Sequence, residues 1–157
     1  MTLYEGPAFR VERRDGRDVV VHAPVAAVLA IDGDDLLTLV RQHRVPVDAN
    51  LLELPAGFID RDESPLEAAR RELAEETGLH GGEWREVARF YTSAGFTDER
   101  VHLFLATALE PGEASPTEDE QLEIVRVPQG DVAGLIEVCE DAKTIIGLQL
   151  LARYRHL

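Results

Sequence analysis

Between Gly57 and Leu79 the chain reads GFIDRDESPLEAARRELAEETGL. This stretch sets four glutamates, Glu63, Glu72, Glu75 and Glu76, around a single predicted helix that also carries Arg71. At a helical period of about 100° per residue, Glu72, Glu75 and Glu76 share an arc of roughly 100°. Three carboxylates so placed repel one another and cost the helix stability. A divalent cation is the simplest compensation. Hard ions such as Mg²⁺ take oxygen ligands, retain water and commonly bridge to a substrate's phosphates. The segment reads as a metal site for phosphate chemistry.

The helix itself is well specified. Ser64 is a good N-cap, Pro65 suits the first helical position, and Glu67 completes a capping box with Ser64. Leu66, Ala69 and Leu73 form an apolar stripe beside the acidic face. Gly78 is a natural left-handed stop. These signals predict a helix over Pro65 to Thr77.

Elsewhere the pattern is mostly strands. Phe9 to Arg14 and Arg17 to His22 flank Asp15-Gly16, a hairpin signal. Val25 to Ile31 and Leu36 to Arg41 are apolar strands around the turn Asp32 to Asp35. Leu51 to Leu54, Glu86 to Tyr91, Val101 to Leu109 and Gln121 to Val127 read as further strands. Pro111 to Asp119, rich in Pro, Gly and acids, reads as a mobile loop. Pro128 to Ile136 predicts a short helical connection, and Ala142 to Tyr154 a closing amphipathic helix. Strands mixed with two main helices make an α/β protein with helices packed on a mixed sheet. The 157 residues fit one domain, with a hairpin over 1–23 and a core over 24–157.

Net charge narrows the partners. Thirty acidic residues against sixteen Lys and Arg give −14, which argues against general nucleic-acid or anionic-membrane binding. An anionic substrate must then meet bound metal or a few arginines. No apolar run approaches the ~18 residues of a membrane span, and the first residues show no signal-peptide core. The single Cys139 fits a reducing cytoplasm and reads as a small buried residue. Histidines 22, 43, 80, 102 and 156 show no metal-ligand spacing.

The spacing of Gly57, Glu63, Arg71-Glu72-Leu73, Glu75-Glu76 and Gly78-Leu79 resembles the Nudix box, with every defining position filled. A solvated acidic helix face is the competing reading of such a charge run; the glycines and Arg71 fit the box as well. Arg41-Gln42-His43-Arg44, Leu52-Glu53-Leu54-Pro55-Ala56-Gly57, Ser93 to Glu99 and Glu118 to Glu123 resemble the ADP-ribose pyrophosphatase and nucleoside-diphosphate-sugar group of Nudix hydrolases. One departure is Ala94, where ADP-ribose-directed members commonly carry proline.

The resemblance implies the Nudix α/β/α sandwich, a mixed sheet preceded by an N-terminal β-hairpin, and a homodimer. It implies Mg²⁺, with Mn²⁺ as a substitute, held by Glu72 and Glu76 on one helix face, by Glu75 directly or through water, and by the Ala56 carbonyl. Such ions would polarise phosphate oxygens and lower the pKa of a water. Arg71 would offset the clustered charge and orient Glu63. Glu120 is the expected general base, with Glu118 and Asp119 as rivals. Glu99 would line the site. Arg44, and less directly Arg41, would bind the pyrophosphate through their planar forks. Phe58 and Phe96 are either core or contacts to adenine or ribose.

Three functions remain open on these residues. One is a pyrophosphohydrolase acting on ADP-ribose, giving AMP and ribose 5-phosphate, or on another nucleotide sugar or dinucleotide. The second is a nucleotide-sensing binding module, which loss of a box glutamate would favour. The third is an interaction protein with an acidic helix.

Overall fold

The computed structural model describes residues 1–115 and 122–154. Three strands open the chain, β1 (Thr2–Glu5), β2 (Phe9–Arg14) and β3 (Arg17–His22), in an antiparallel sheet of that order. The expected hairpin is β2–β3. Its turn residues Asp15 and Gly16 both have positive φ, 48° and 77°, as a two-residue hairpin turn requires. The sequence pattern overlooked β1, which is short and exposed throughout.

The central sheet is built on β4 (Val25–Asp32). It is flanked by β5 (Leu36–Arg44) and β9 (Arg100–Glu110), and the sheet ends in β10 (Glu123–Pro128) and β8 (His80–Tyr91). Two short strands, β6 (Ala49–Glu53) and β7 (Ala56–Phe58), pair with β5 and β4. β4 and β9 are parallel and the other pairs antiparallel, so the sheet is mixed.

β4 is apolar along nearly its whole length because both of its faces are covered. Ala27, Leu29 and Ile31 join a core with Leu54, Leu103, Leu148 and Leu151. Ala26, Val28 and Ala30 join a second core with Ala68, Ala69, Leu73 and Phe104. Helix α1 (Pro65–Thr77) therefore packs on one face. On the other, α3 (Ala142–Tyr154) packs beside the shorter α2 (Val132–Val138). The result is the expected α/β/α sandwich.

α1 has the bounds its sequence predicts. Ser64 accepts from the Glu67 N–H at 3.3 Å, and the Glu67 carboxylate accepts from the Ser64 N–H at 2.7 Å. Gly78 ends the helix at φ 76°. Strand β8 begins six residues before its expected start at Glu86. Gly81 and Gly82 look like breakers, yet with φ values of 71° and 70° they lie inside the strand, which keeps one register with β9 from His80 to Glu86 and shifts only between Glu86 and Ala88. A Cβ at Gly82 would lie 2.4 Å from the Thr107 carbonyl oxygen. The described part of the expected loop, 111–115, has no helix or strand and meets the end of α1. The Ser115 N–H donates to the Glu75 carbonyl at 2.9 Å, and the Gly112 oxygen lies against Gly78.

Candidate active site

The site forms where β7 lies against α1. The Ala56 N–H donates to Glu76 Oε2 at 3.2 Å, tying the strand to the last turn of the helix. Glu76 is buried, at 4% exposed. Gly57 permits this approach: a Cβ there would sit 2.0 Å from Glu72 Cδ.

Arg71 organises the acids around it. Its Nη2 donates to Glu63 Oε1 at 2.5 Å and its Nε to Glu63 Oε2 at 3.2 Å. Nη1 donates to Glu72 at 2.7 Å and to Glu75 at 3.4 Å. Nη2 also reaches the Phe58 carbonyl at 3.0 Å. The Glu63 hydrogen bonds come first in holding the guanidinium protonated, against the opposing effect of desolvation. Those same bonds, with the Asp60 N–H, hold the Glu63 carboxyl below the usual carboxylate range. Arg71 is thus more than a surface ion pair: one cation gathers three carboxylates and a backbone carbonyl.

Glu72, Glu75 and Glu76 are hard oxygen donors on one helix, and the cradle at Gly57 is shaped to the Glu72 carboxylate. Among the described residues no three acidic, histidine or cysteine side chains converge tightly enough to hold an ion as they stand. Arg71 engages two of the three expected glutamates. The donor chemistry suits a divalent cation; taking one up requires Glu72 and Glu75 to share or leave the guanidinium.

The remaining expected residues separate. Arg44 binds Glu53 bidentately, Nε to Oε1 at 2.7 Å and Nη2 to Oε2 at 2.8 Å. Glu76 also contributes to holding Arg44 protonated, after Glu53 and Asp141, so this guanidinium senses the acidic helix. Arg41 instead pairs with Glu123 of β10 at 3.2 Å. Lying three residues apart on one strand, Arg41 and Arg44 point to opposite faces. Glu99 accepts from the Thr92 hydroxyl at 2.6 Å and lies 3.4 Å from His22 Nδ1. Phe58 and Phe96 are both exposed, at 46% and 56%, so neither is core. Phe58 stands edge-on to His22 at 5.3 Å. Glu118, Asp119 and Glu120 lie outside the described residues.

Sequence reasoning missed two groups. One docks the 92–99 loop on β3. The Val20 N–H donates to the Phe96 carbonyl, the His22 N–H to Asp98, and Arg14 pairs with Asp98 at 3.2 Å. The other joins Glu53 to Lys143 at 2.5 Å, and Lys143 to Asp141 at 3.0 Å. Its sequence signal was a charged residue, Glu53, between two leucines entering the core.

The NUDIX domain profile matches residues 21–145. An ADP-ribose pyrophosphatase of Bacillus subtilis (strain 168) is 40% identical over 139 residues, covering 86% of this chain and 75% of that protein. A GDP-mannose pyrophosphatase of Cronobacter sakazakii is 34% identical, covering 91% and 84%. A crystal structure of an ADP compounds hydrolase superposes with a TM-score of 0.80 at 26% identity, covering 98% and 89%. Nudix hydrolases are generally dependent on a divalent metal. With the box filled, the sandwich formed and the profile spanning most of its length, this chain belongs to the NUDIX family.

Proposed function

We propose that the protein is a Mg²⁺-dependent pyrophosphohydrolase of nucleoside diphosphates linked to a second moiety, and that ADP-ribose is its preferred substrate. The observation that carries this reading is the Arg71 clamp on Glu63, Glu72 and Glu75, set beside Glu76 and the Ala56–Gly57 backbone. A binding module would not need all four glutamates, and all four are present.

Glu72, Glu75 and Glu76, with the Ala56 carbonyl, are the ligands proposed for Mg²⁺, or Mn²⁺ in its place. When bound, such ions neutralise phosphate charge and lower the pKa of a water. Glu63 and Arg71 hold the ligand face in register. Arg44 takes the pyrophosphate, while Glu99 lines the site and Phe58 and Phe96 offer faces to the adenine or ribose; Arg41, on the other face of β5, is left to Glu123. Glu120 is the proposed general base. Ser115 is fixed to the end of α1, so a residue five positions on can reach the metal face within about 17 Å of chain. A water oxygen bonds to phosphorus and the P–O–P bridge breaks. The bridging oxygen leaves with one phosphate, and AMP and ribose 5-phosphate result.

GDP-mannose is the second reading, supported by the Cronobacter relative and by Ala94 in place of proline. The enzyme is proposed as a single 1–157 domain and a homodimer, working in a reducing cytoplasm without nucleic acid. No described helix is long and apolar enough to cross a membrane. The test is a panel of ADP-ribose, GDP-mannose, UDP-glucose and flavin adenine dinucleotide with Mg²⁺ and with Mn²⁺, products weighed by mass spectrometry. Nucleoside monophosphate release that stops on chelation is expected. Tight binding with no product under either ion would establish the sensing module instead.

A further inference from the structure

Glu53 is the most buried carboxylate among the described residues, at 1% exposed. Burial alone would push its carboxyl up; hydrogen bonds from Arg44 and the charge of Lys143 outweigh this and hold it low. Two cations thus share one buried acid. Arg44 grips it with Nε and Nη2, leaving the Nη1 side of the guanidinium as its other donor edge. Lys143 approaches from the other element at 2.5 Å.

Lys143 sits where a helix does not favour it. It is the second residue of α3, next to the positive end of the helix dipole, and is only 13% exposed. Asp141 serves that helix end properly: its Oδ2 accepts from the Thr144 N–H at 2.9 Å and from the Thr144 hydroxyl at 2.6 Å. The same hydroxyl accepts from the Leu54 N–H at 2.9 Å, so the first turn of α3 is bolted to the strand end beside Glu53. Helix stability does not explain a half-buried lysine there. A local rule broken at a well-anchored position points to a site requirement.

Geometry gives that requirement. Arg44 spends Nε and Nη2 on Glu53, and Lys143 donates both to Glu53 and to Asp141 at 3.0 Å. The two cations and two carboxylates balance, so the cluster adds no net charge; it holds Glu53, and with it the Arg44 fork, from both sides. We propose that Glu53 and Lys143 are positioning residues for the substrate's pyrophosphate: Glu53 fixes the fork of Arg44, and Lys143 holds Glu53 in place. This rests on the reading above that Arg44 binds the pyrophosphate.

The experiment compares Arg44→Ala, Lys143→Gln, Lys143→Arg and the double variant Arg44→Ala/Lys143→Gln. The readouts are kcat and KM for ADP-ribose with Mg²⁺ and the Kd of ADP by calorimetry. Lys143→Gln keeps a donor to Glu53 and removes the charge. It should raise KM and Kd about tenfold, the scale of a charged hydrogen bond, with kcat within about threefold. Lys143→Arg should restore both. In the Arg44→Ala background, Lys143→Gln should add less than about twofold. A loss of thermal stability with KM and Kd unchanged would make the cluster structural only and overturn the proposal. Additive losses would place Lys143 on the substrate itself and also overturn it. Arg44→Ala with unchanged KM and Kd would instead refute the pyrophosphate role of Arg44. Wild type that binds no ADP would refute the diphosphate reading and this one with it.

Discussion

Replacing Gly57 with alanine should separate activity from stability. Gly57 is not in the left-handed region, so alanine is allowed by the backbone. The added methyl would lie 2.0 Å from Glu72 Cδ and 2.2 Å from its Oε1. Ordinary contact begins near 3.4 Å, so the carboxylate must retreat by roughly 1.4 Å. The Glu72 side chain is flexible and only its far end collides, so the fold can adjust. The expected cost is within about 1 kcal/mol, or a fall in Tm of about 2–4 °C. The same retreat pulls Glu72 from Arg71, now 2.7 Å away, and from the metal position proposed for it. Misplacement by about 1 Å at a reacting centre can cost a hundredfold. Gly57→Ala should therefore lose about a hundredfold in turnover with a raised Mg²⁺ requirement, matching Glu72→Gln. Thermal melting followed by circular dichroism and product release across a Mg²⁺ titration would measure both. Gly134→Ala, where the new Cβ meets nothing within 4 Å, is the control. Near-normal turnover in Gly57→Ala at limiting Mg²⁺ would refute the reasoning, as would a collapse in stability that accounts for the lost activity.

Two further outcomes are expected. Glu120→Gln should lower kcat and kcat/KM together by about a hundredfold, without shifting Mg²⁺ dependence, while the same change at Glu118 or Asp119 does much less; full activity in all three would leave no base on that loop. Glu53 is held low in the folded chain and is ordinary when unfolded, so the stability it adds is complete above about pH 4.5 and is lost as pH falls through its folded value. Tm measured from pH 6 to pH 3 should fall less steeply in Glu53→Gln than in wild type; equal slopes would deny Glu53 that contribution.

What the sequence disclosed depended on distance along the chain. α1 was legible to the residue because its cap, its first-position proline, its stripe and its terminal glycine all lie within one window. The acidic residues expected as ligands are equally local. β7 has three residues and no periodicity to read, and β8 was cut short because Gly81 and Gly82 imitate a break. Arg44 stood out as a phosphate ligand, but its grip on Glu53 and the neighbouring Lys143 could not be seen. Those partners come from β6 and α3, 90 residues apart, and only the folded sheet brings them together. Arg41 shows the opposite limit: adjacency in the motif suggested a shared role, yet strand alternation turns it toward Glu123.

The two halves of the site differ in how they can assemble. The Arg71 clamp and the Ala56–Glu76 bond span 20 residues or fewer, whereas Glu53–Lys143 spans 90. Loop-closure entropy alone separates these by about 1.3 kcal/mol, and the longer closure must also wait for β8 to β10. During synthesis the Arg71 clamp and the Ala56–Glu76 bond have both ends present once Glu76 has emerged, although α1 still awaits Phe104 for its core. The Arg44 fork acquires its lysine only when α3 arrives, 90 residues after Glu53. On the roles proposed above, a nascent chain would own its metal face long before its grip on diphosphate, which waits for α3.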